Sequence, residues 1–172
     1  MGFGSLMPLP GSDRLHEAVR IFTDAARRSG QRAIIQADID QPSTNDLLFV
    51  RRTPHAQVFP RCAAVVHHAG AGTTHTTLQA GVPSVPIPHV SDQFAWSADL
   101  HRLGVAPKPL KRLKLTADAL AGRIRETVGN PRMKAAAESI QRRMANDDGP
   151  RTAAQMIENV MGPPSRGARR RG

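Results

Sequence analysis

Short apolar runs alternate with longer stretches of helical periodicity along most of this chain, and this alternation constrains its fold more than any other feature. The apolar runs predict strands at Met1–Gly4, Ala33–Gln36, Leu47–Val50, Ala63–His67, Ser84–Ile87 and Val105–Ala106. The other stretches predict helices at Asp13–Arg28, Thr73–Ala80, Asp92–Leu103, Thr116–Val128, Pro131–Ala145 and Gly149–Val160, with a short helix or turn at Pro54–Pro60. Strands that alternate with helices form βαβ units, so we predict an α/β fold: a Rossmann-like parallel sheet with helices on both faces.

The first predicted strand is shorter than expected for a buried parallel strand, which usually runs about five residues. It begins at the first residue, and only Met1 and Phe3 in it are apolar. Two interpretations stay open: the strand lacks its N-terminal half, or the chain was cut from a longer one. We place one domain at residues 1–161.

The charge balance points to an anionic partner. The 172 residues carry 24 Lys and Arg against 14 Asp and Glu, a net charge of +10. Five Phe, one Trp and no Tyr are too few and too scattered for a base-stacking platform, so we expect no nucleic acid partner. Part of the excess lies in residues 162–172, whose last eight residues hold four Arg and no acid; we predict a basic, disordered tail.

Several classes of protein are excluded by what the sequence lacks. No run approaches the roughly 18 apolar residues that a bilayer span needs, and no secretory signal is visible, so we expect a cytoplasmic protein. The single cysteine, Cys62, excludes an internal disulfide and a cysteine-based structural zinc site. We interpret Cys62 as a buried small hydrophobe.

The segment from Ala63 to Thr74 carries the clearest chemical signal. It reads as a strand, a glycine-containing loop and a helix that opens on two threonines. A helix N-terminus offers backbone N–H donors and a partial positive charge, which together favour a phosphate. Gly70 and Gly72 allow close approach of a ligand, and His68 lies at the carboxyl end of the strand, where open α/β sheets bind ligands.

This loop matches neither of two common nucleotide motifs. Gly70-Ala-Gly72 is followed by Thr-Thr-His, so it is not Gly-x-Gly-x-x-Gly, and the chain has no Gly-Lys-Ser/Thr of a P-loop. A hydride cofactor and nucleotide hydrolysis are therefore not expected. A simple tight turn remains the alternative interpretation of the two glycines.

The chain resembles family 1 glycosyltransferases of the GT-B fold, and in particular bacterial antibiotic and sterol glucosyltransferases. The segment from His67 to Thr74 is similar to their His-His-Gly-Gly-Ala-Gly-Thr-Thr signature. Further matches are Pro54-His55, the stretch Phe59–Val66, Ala80-Gly-Val-Pro83, Asp92-Gln93, Leu103-Gly-Val105 and Gly2-Phe-Gly-Ser5. The likeness covers about residues 1–160 and is densest over residues 54–96.

The resemblance implies that this chain is the C-terminal half of a GT-B fold, the half that binds the nucleotide-sugar donor. The implied donor is a UDP- or dTDP-sugar, and neither a cofactor nor a metal is expected. The residues that would hold the diphosphate are Gly4, Ser5, His68, Gly70, Gly72, Thr73 and Thr74. Asp92 and Gln93 would bind the sugar hydroxyls, and Arg52, Thr53 and His55 would line the base.

The sequence departs from the family pattern at three places and in one larger respect. One of the three is Gln36-Ala-Asp-Ile-Asp40, which lacks the Gly-Trp often found after the second strand, so we expect this loop to contact the ligand differently. Thr76 stands where plant members carry a ribose-binding Glu, which leaves UDP and dTDP both open, and Val50 stands where they carry a stacking Trp. Nothing here supplies the acceptor domain with its general base, so we expect no catalytic residue in this chain and no activity from it alone. The implied reaction is inverting transfer of a hexose to a hydroxyl of a lipophilic acceptor bound by a missing N-terminal domain or partner subunit.

Other readings of the same residues stay open. The chain could instead be the donor-binding subunit of a split transferase or, less favoured, a basic nucleic-acid-binding α/β domain. We expect His67 and Trp96 to be structural and His89 and His101 to lie on the surface, and we leave His75 undecided. The basic stretch Lys108–Lys114 is interpreted as a solvated loop that could contact anionic lipid headgroups.

Overall fold

The computed structural model describes residues 12–161. Its helices are α1 (Ser12–Ser29), α2 (His55–Val58), α3 (Ala71–Gln79), α4 (Gln93–Arg102), α5 (Ala117–Val128), α6 (Pro131–Ala145) and α7 (Gly149–Met161), with short 3-10 turns at Phe59–Arg61 and Arg112–Lys114. Its strands are β1 (Ala33–Gln36), β2 (Leu47–Val50), β3 (Val65–His67) and β4 (Ser84–Pro86). The predicted strand Met1–Gly4, the predicted phosphate residues Gly4 and Ser5, and the tail 162–172 lie outside the described residues.

The four described strands form two parallel pairs. Ala33 of β1 lies opposite Leu47 of β2, and Val65 of β3 lies opposite Ser84 of β4. We predicted one continuous sheet, whereas the described residues hold two two-stranded sheets. The parallel direction itself is confirmed.

The predicted strand Val105–Ala106 is not a strand among the described residues, but its segment runs beside β4. The Ser84 N–H donates to the Val105 carbonyl at 2.9 Å, and the Leu110 N–H donates to the Pro86 carbonyl at 3.1 Å. Two bonds separated by the prolines at 107 and 109 are too few for a regular ladder, because proline has no N–H to donate.

Helices cover both faces of the strands, as predicted. On one face, α1 and α5 pack against each other and on the sheets. Their shared core is apolar and buried; it consists of Phe22, Ala25, Ala26, Ile35, Leu47, Val66, Val85, Ile87, Leu120, Ala121 and Ile124. The opposite side holds α3, α4 and α6 around Leu100, Val105, Ala106 and Ala137. The sheets are therefore sandwiched between two helical layers.

Helix starts follow the capping residues that the sequence shows. The Thr116 Oγ1 atom accepts from the Ala119 N–H at 3.2 Å, which fixes the start of α5. The Asn130 side chain caps α6 in the same way, with Pro131 in its first turn. By contrast, α3 begins two residues earlier than predicted, since Ala71 and Gly72 join its first turn. Along residues 12–161, no helix is both long and apolar enough to cross a bilayer.

Candidate donor-binding site

The site is built on the carboxyl end of β3, where two adjacent histidines face different surroundings. His67 is buried in the core, and its Nε2 lies 3.0 Å from the Ser84 Oγ. Its Nδ1 accepts from the Ala69 N–H at 3.1 Å, so Nδ1 carries no proton and Nε2–H donates to Ser84. Burial lowers the pKa of His67 to about 3. His67 therefore has the structural role that we predicted.

Ala69 turns the chain from β3 into the loop with a left-handed backbone, at φ +63. This conformation costs a non-glycine residue about 1–2 kcal/mol. The family signature has glycine at the matching position, which adopts such a φ without steric cost. Ala69 thus links His68 and Gly70, which lie against each other.

Replacing Ala69 by glycine is expected to change the free energy of unfolding by less than about 1 kcal/mol. Relief of the left-handed strain offsets the loss of a buried methyl group and the larger backbone entropy of glycine. Ala137, equally buried but helical, is the matched control, and Ala137→Gly should cost about 1–2 kcal/mol. Urea titrations followed by circular dichroism compare the two variants; equal losses would contradict the strain at Ala69.

The His68 ring packs directly over Gly70. A Cβ atom on Gly70 would overlap His68 Nε2 and lie 3.0 Å from its Cδ2. Gly70 has φ −66 and ψ 145, which any residue can adopt, so the imidazole and not the backbone excludes a side chain here. The missing Cβ therefore brings the imidazole of His68 against the start of α3.

The N-terminus of α3 presents backbone donors next to this ring. Gly70 is the N-cap, no side chain caps the helix, and the first backbone bond runs from the Thr74 N–H to the Gly70 carbonyl at 2.9 Å. The N–H groups of Ala71, Gly72 and Thr73 therefore have no acceptor within the helix. A Cβ on Gly72 would meet nothing within 4 Å, so the surface beside this residue is open.

The threonines of α3 differ in what they can offer a ligand. Thr73 is half-buried and lines the neighbouring cavity. The Thr74 hydroxyl is buried and has no hydrogen-bond partner among the described residues. Thr76, at the position of the plant ribose-binding Glu, donates its hydroxyl to the Gly72 carbonyl at 2.9 Å. Of these, Thr73 alone lines the cavity.

A second set of predicted site residues follows β4, the strand paired with β3. Asp92 precedes α4, and its exposed side chain makes no hydrogen bond among the described residues. Gln93 is buried, and its Oε1 accepts from the N–H groups of His89 and Val90 at 2.8 and 3.3 Å. Since both partners are donors, the Gln93 oxygen must face them, which leaves its NH2 group for a ligand. Gln93 thus holds the loop that carries Asp92.

We expected His89 on the surface, but the structure half-buries this residue. Both of its ring nitrogens are inaccessible to water, and burial with the nearby charges of Arg112 and His68 lowers the pKa of His89 to about 4. The sequence did not indicate this because His89 lies three residues beyond β4, outside any helix or strand whose periodicity would predict its burial. His101, expected on the surface, is exposed and lies on α4 with Nδ1 3.0 Å from the Ala106 carbonyl.

Trp96 is also placed differently from our expectation of core packing. It is 39% exposed, one helical turn after Asp92. Phe94 and Val90, its neighbours along the chain, are 55% and 44% exposed. The predicted helical spacing between Asp92 and Trp96 was correct, but the spacing alone did not show that this face of α4 is exposed to solvent. His75 is exposed on α3.

Two of the three predicted base-binding residues lie at a cavity of about 530 Å³ between the two sheets. Thr53, His55 and Thr73 line it, whereas Arg52 is exposed and is not among its lining residues. His55 is held by two contacts: its Nε2 is 2.9 Å from the Gln36 Oε1, and its ring stacks on Phe59 with centroids 4.6 Å apart. Partial burial lowers the pKa of His55, which favours the neutral ring. Gln36 was not among the predicted site residues, although it begins the loop Gln36–Asp40 that we expected to contact the ligand differently.

The Cys62 thiol is half-buried and lies 3.4 Å from the Val58 carbonyl, and burial raises its pKa, which favours the unreactive thiol. Across the described part of the chain, no three His, Cys, Asp or Glu side chains cluster in a way that would hold a metal ion.

Known proteins share this architecture. The solved structure of LpCGTa in complex with UDP superposes with a TM-score of 0.77 over 94% of this chain and 41% of its own, at 15% identity. The sterol 3-beta-glucosyltransferase UGT80B1 of Arabidopsis thaliana is 31% identical over 95% of this chain and 27% of its own length. The O-mycaminosyltylonolide 6-deoxyallosyltransferase of Streptomyces fradiae is 34% identical over 90% of this chain and 36% of its own.

The fold is that of the GT-B glycosyltransferases. Residues 42–160 match the family described as "Erythromycin biosynthesis protein CIII-like, C-terminal domain", and the chain belongs to it. It spans only about a quarter to two fifths of the length of these relatives, at 27%, 36% and 41%.

Proposed function

We propose that this chain binds the nucleotide-sugar donor, a UDP- or dTDP-sugar, for an inverting glycosyltransferase. One observation carries the proposal: the His68 ring lies against the N-terminus of α3, at the carboxyl end of a parallel strand. Such an end is where open α/β sheets bind ligands. A ring nitrogen and several backbone N–H groups there converge on one space.

The diphosphate would lie in that space. Backbone donors of Gly72 and Thr73 and the partial positive charge of the helix end favour phosphate oxygens. His68 would donate a further bond, stronger than average because the acceptor is charged. As the bond between sugar and phosphate breaks, negative charge grows on the diphosphate, and these fixed donors would stabilise it without a metal ion. Gly70 would act by letting His68 approach, and Gly4 and Ser5 stay proposed from the resemblance.

The sugar would lie beside the loop after β4. Asp92 would accept bonds from hydroxyl groups, and the Gln93 NH2 group would donate one. Because the Gln93 oxygen holds the backbone at residues 89 and 90, the loop presents Asp92 in a fixed position. The base would enter near Thr53 and His55, with Arg52 at the rim. Thr74, whose hydroxyl is buried and has no partner among the described residues, stays proposed for the diphosphate from the resemblance alone.

Transfer itself needs groups outside this chain. We propose that a general base and the binding surface for a lipophilic acceptor come from another domain or subunit, and that this chain alone is inactive. The relatives named above are several times its length, which agrees with that division. A cytoplasmic location of the protein would give it access to nucleotide sugars.

A membrane contact is a second proposal, favoured by one residue. Leu113 is 98% exposed between Arg112 and Lys114, an apolar side chain within a basic turn. Such a turn would attract anionic lipid headgroups and insert the leucine. Co-sedimentation with phosphatidylserine vesicles should weaken in Leu113→Ser, and neutral vesicles serve as control. Equal binding of both variants would count against it.

Calorimetric titration tests the donor proposal. UDP or dTDP should bind saturably, and GDP is titrated beside them to compare a purine base. Asp92→Ala should leave the affinity for UDP unchanged and weaken that for UDP-glucose. Failure of every nucleotide to bind would contradict the proposal; steeply salt-dependent binding of duplex DNA in its place would favour a nucleic-acid role.

A further inference from the structure

Gln36 is the last residue of β1 and carries the one polar side chain of that strand. Its neighbour Ile35 is buried in the core shared with α1 and α5. Because side chains alternate along a strand, Gln36 points to the opposite face, where α2 begins. There its Oε1 lies 2.9 Å from the Nε2 of His55. The polar end of Gln36 thus lies at the carboxyl end of a parallel strand, where open α/β sheets bind ligands.

The contact with His55 fixes the direction in which the Gln36 amide faces. An amide oxygen only accepts hydrogen bonds, so the His55 Nε2 carries the proton and donates it to this oxygen. The His55 ring is held in turn by the buried Phe59, on which it stacks with centroids 4.6 Å apart and planes 14° apart. Burial lowers the pKa of His55, so the ring is neutral at pH 7 and carries a single N–H.

The rest of the Gln36 amide is a hydrogen-bond donor. Its NH2 group makes no hydrogen bond to any residue of the range 12–161. Gln36 is half-buried and lines the cavity that Thr53 and His55 also line. Turning the amide over would set its NH2 group against the N–H of His55. The cavity therefore offers a donor of fixed direction to a group that enters beside His55.

A fixed donor distinguishes two kinds of pyrimidine base. Uracil and thymine carry a carbonyl oxygen at C4, which accepts a hydrogen bond, whereas cytosine carries an amino group there, which donates one. Two donors that meet leave each other unpaired, and a site built around a hydrogen bond rejects such an analogue. The C5 methyl group of thymine leaves its C4 carbonyl unchanged, so this donor suits uracil and thymine alike.

We propose that Gln36 selects the base of the donor nucleotide by donating to the C4 carbonyl oxygen of uracil or thymine, and that His55 is the positioning residue that holds the Gln36 amide for this bond. The inference rests on the proposed function, because it concerns the base of the same nucleotide. It gives a specificity role to a residue at the start of the loop Gln36–Asp40, which departs from the family pattern.

Calorimetric titration of the full chain with UDP, dTDP and CDP tests the selection. UDP and dTDP should bind with similar affinity, and CDP at least about tenfold more weakly. Gln36→Glu replaces the donor by an acceptor of nearly the same shape, so the ratio of UDP to CDP affinity should fall at least about tenfold. Gln31→Glu is the matched control, since Gln31 is also half-buried and lines the same cavity beyond the amino end of β1; it should leave the ratio unchanged.

His55→Phe tests the positioning role. This variant keeps the stack on Phe59 but loses the N–H, so the Gln36 amide becomes able to turn either its oxygen or its NH2 group toward the base. CDP should then bind nearly as well as UDP. A merely structural loss would weaken both nucleotides alike and leave their ratio as it was.

The outcomes separate this inference from the donor proposal. Equal affinity of the unaltered chain for UDP and CDP would overturn the inference alone, as would a ratio that Gln36→Glu leaves unchanged or that Gln31→Glu lowers equally. A ratio unchanged in His55→Phe would show that His55 does not position the amide. If Gln36→Glu does not fold, Gln36→Met, which has no donor, should also lower the ratio. Failure of all three nucleotides to bind would overturn both proposals together.

Discussion

Acidification from pH 7 to pH 5 is expected to lower the free energy of unfolding by about 2 kcal/mol through His67 alone, and by about 4 kcal/mol at pH 3. Burial holds the pKa of His67 near 3, against about 6.5 in the unfolded chain. At pH values between about 3 and about 6.5, the imidazole of His67 is protonated in the unfolded chain and neutral in the folded protein. Stability is therefore fully present above about pH 6.5 and falls as the pH drops toward 3.

The folded structure gives the reason why His67 resists protonation. A proton on Nδ1 would meet the Ala69 N–H, which now donates to that atom. The bond from Nε2 to Ser84 lies in the same buried space, and the ring has no route to water. Protonation would thus break the turn that leads to His68, and acid would affect the site before the remote helices.

His67→Gln is the variant that isolates this contribution. The glutamine side chain cannot titrate. Between pH 6 and pH 4, the unfolding free energy of the variant should therefore fall less steeply with pH than that of the unaltered chain, and the two slopes should differ by about 1.4 kcal/mol per pH unit. His89, whose pKa is also lowered, adds to the slope of both proteins and cancels in the difference. Urea titrations at each pH provide the measurement. Parallel pH profiles for the two proteins would show that His67 does not control acid stability.

Local patterns predicted most of the elements because each depends on a few neighbouring residues. The apolar runs Ala33–Gln36 and Leu47–Val50 form strands with the predicted bounds. Thr116 and Asn130 cap their helices through bonds that span three residues or fewer. Such interactions are written in the sequence, so their location needs no knowledge of the tertiary structure.

The surroundings of single side chains were harder to predict because they depend on long-range packing. His89 and Trp96 were assigned opposite environments to those observed. Periodicity gave the helical face that Trp96 shares with Asp92, but not whether another helix covers it. Gln93 was predicted from the resemblance as a sugar ligand; its bonds to the loop before α4 became visible only in three dimensions.

Replacing Gly70 by alanine is expected to weaken UDP or dTDP binding about 10- to 100-fold while leaving the fold intact. The loss corresponds to one hydrogen bond to a charged group, about 1.5–3 kcal/mol. The Gly70 backbone tolerates a side chain, but the new Cβ would overlap His68 Nε2 and force the ring away. Gly70→Ala should therefore reproduce the defect of His68→Ala, although it removes no functional group.

A double-mutant cycle separates this mechanism from simple damage to the loop. If Gly70 acts only through His68, the double variant should bind no more weakly than His68→Ala, so the two effects should be far from additive. Gly72→Ala is the matched control because its Cβ meets no protein atom within 4 Å; a loss of affinity there would report direct contact with the ligand. Unfolding curves should show that all variants stay folded. Unchanged affinity in Gly70→Ala, or additive losses in the double variant, would mean that the His68 ring does not hold the diphosphate, and the donor site would then depend on the helix N-terminus alone.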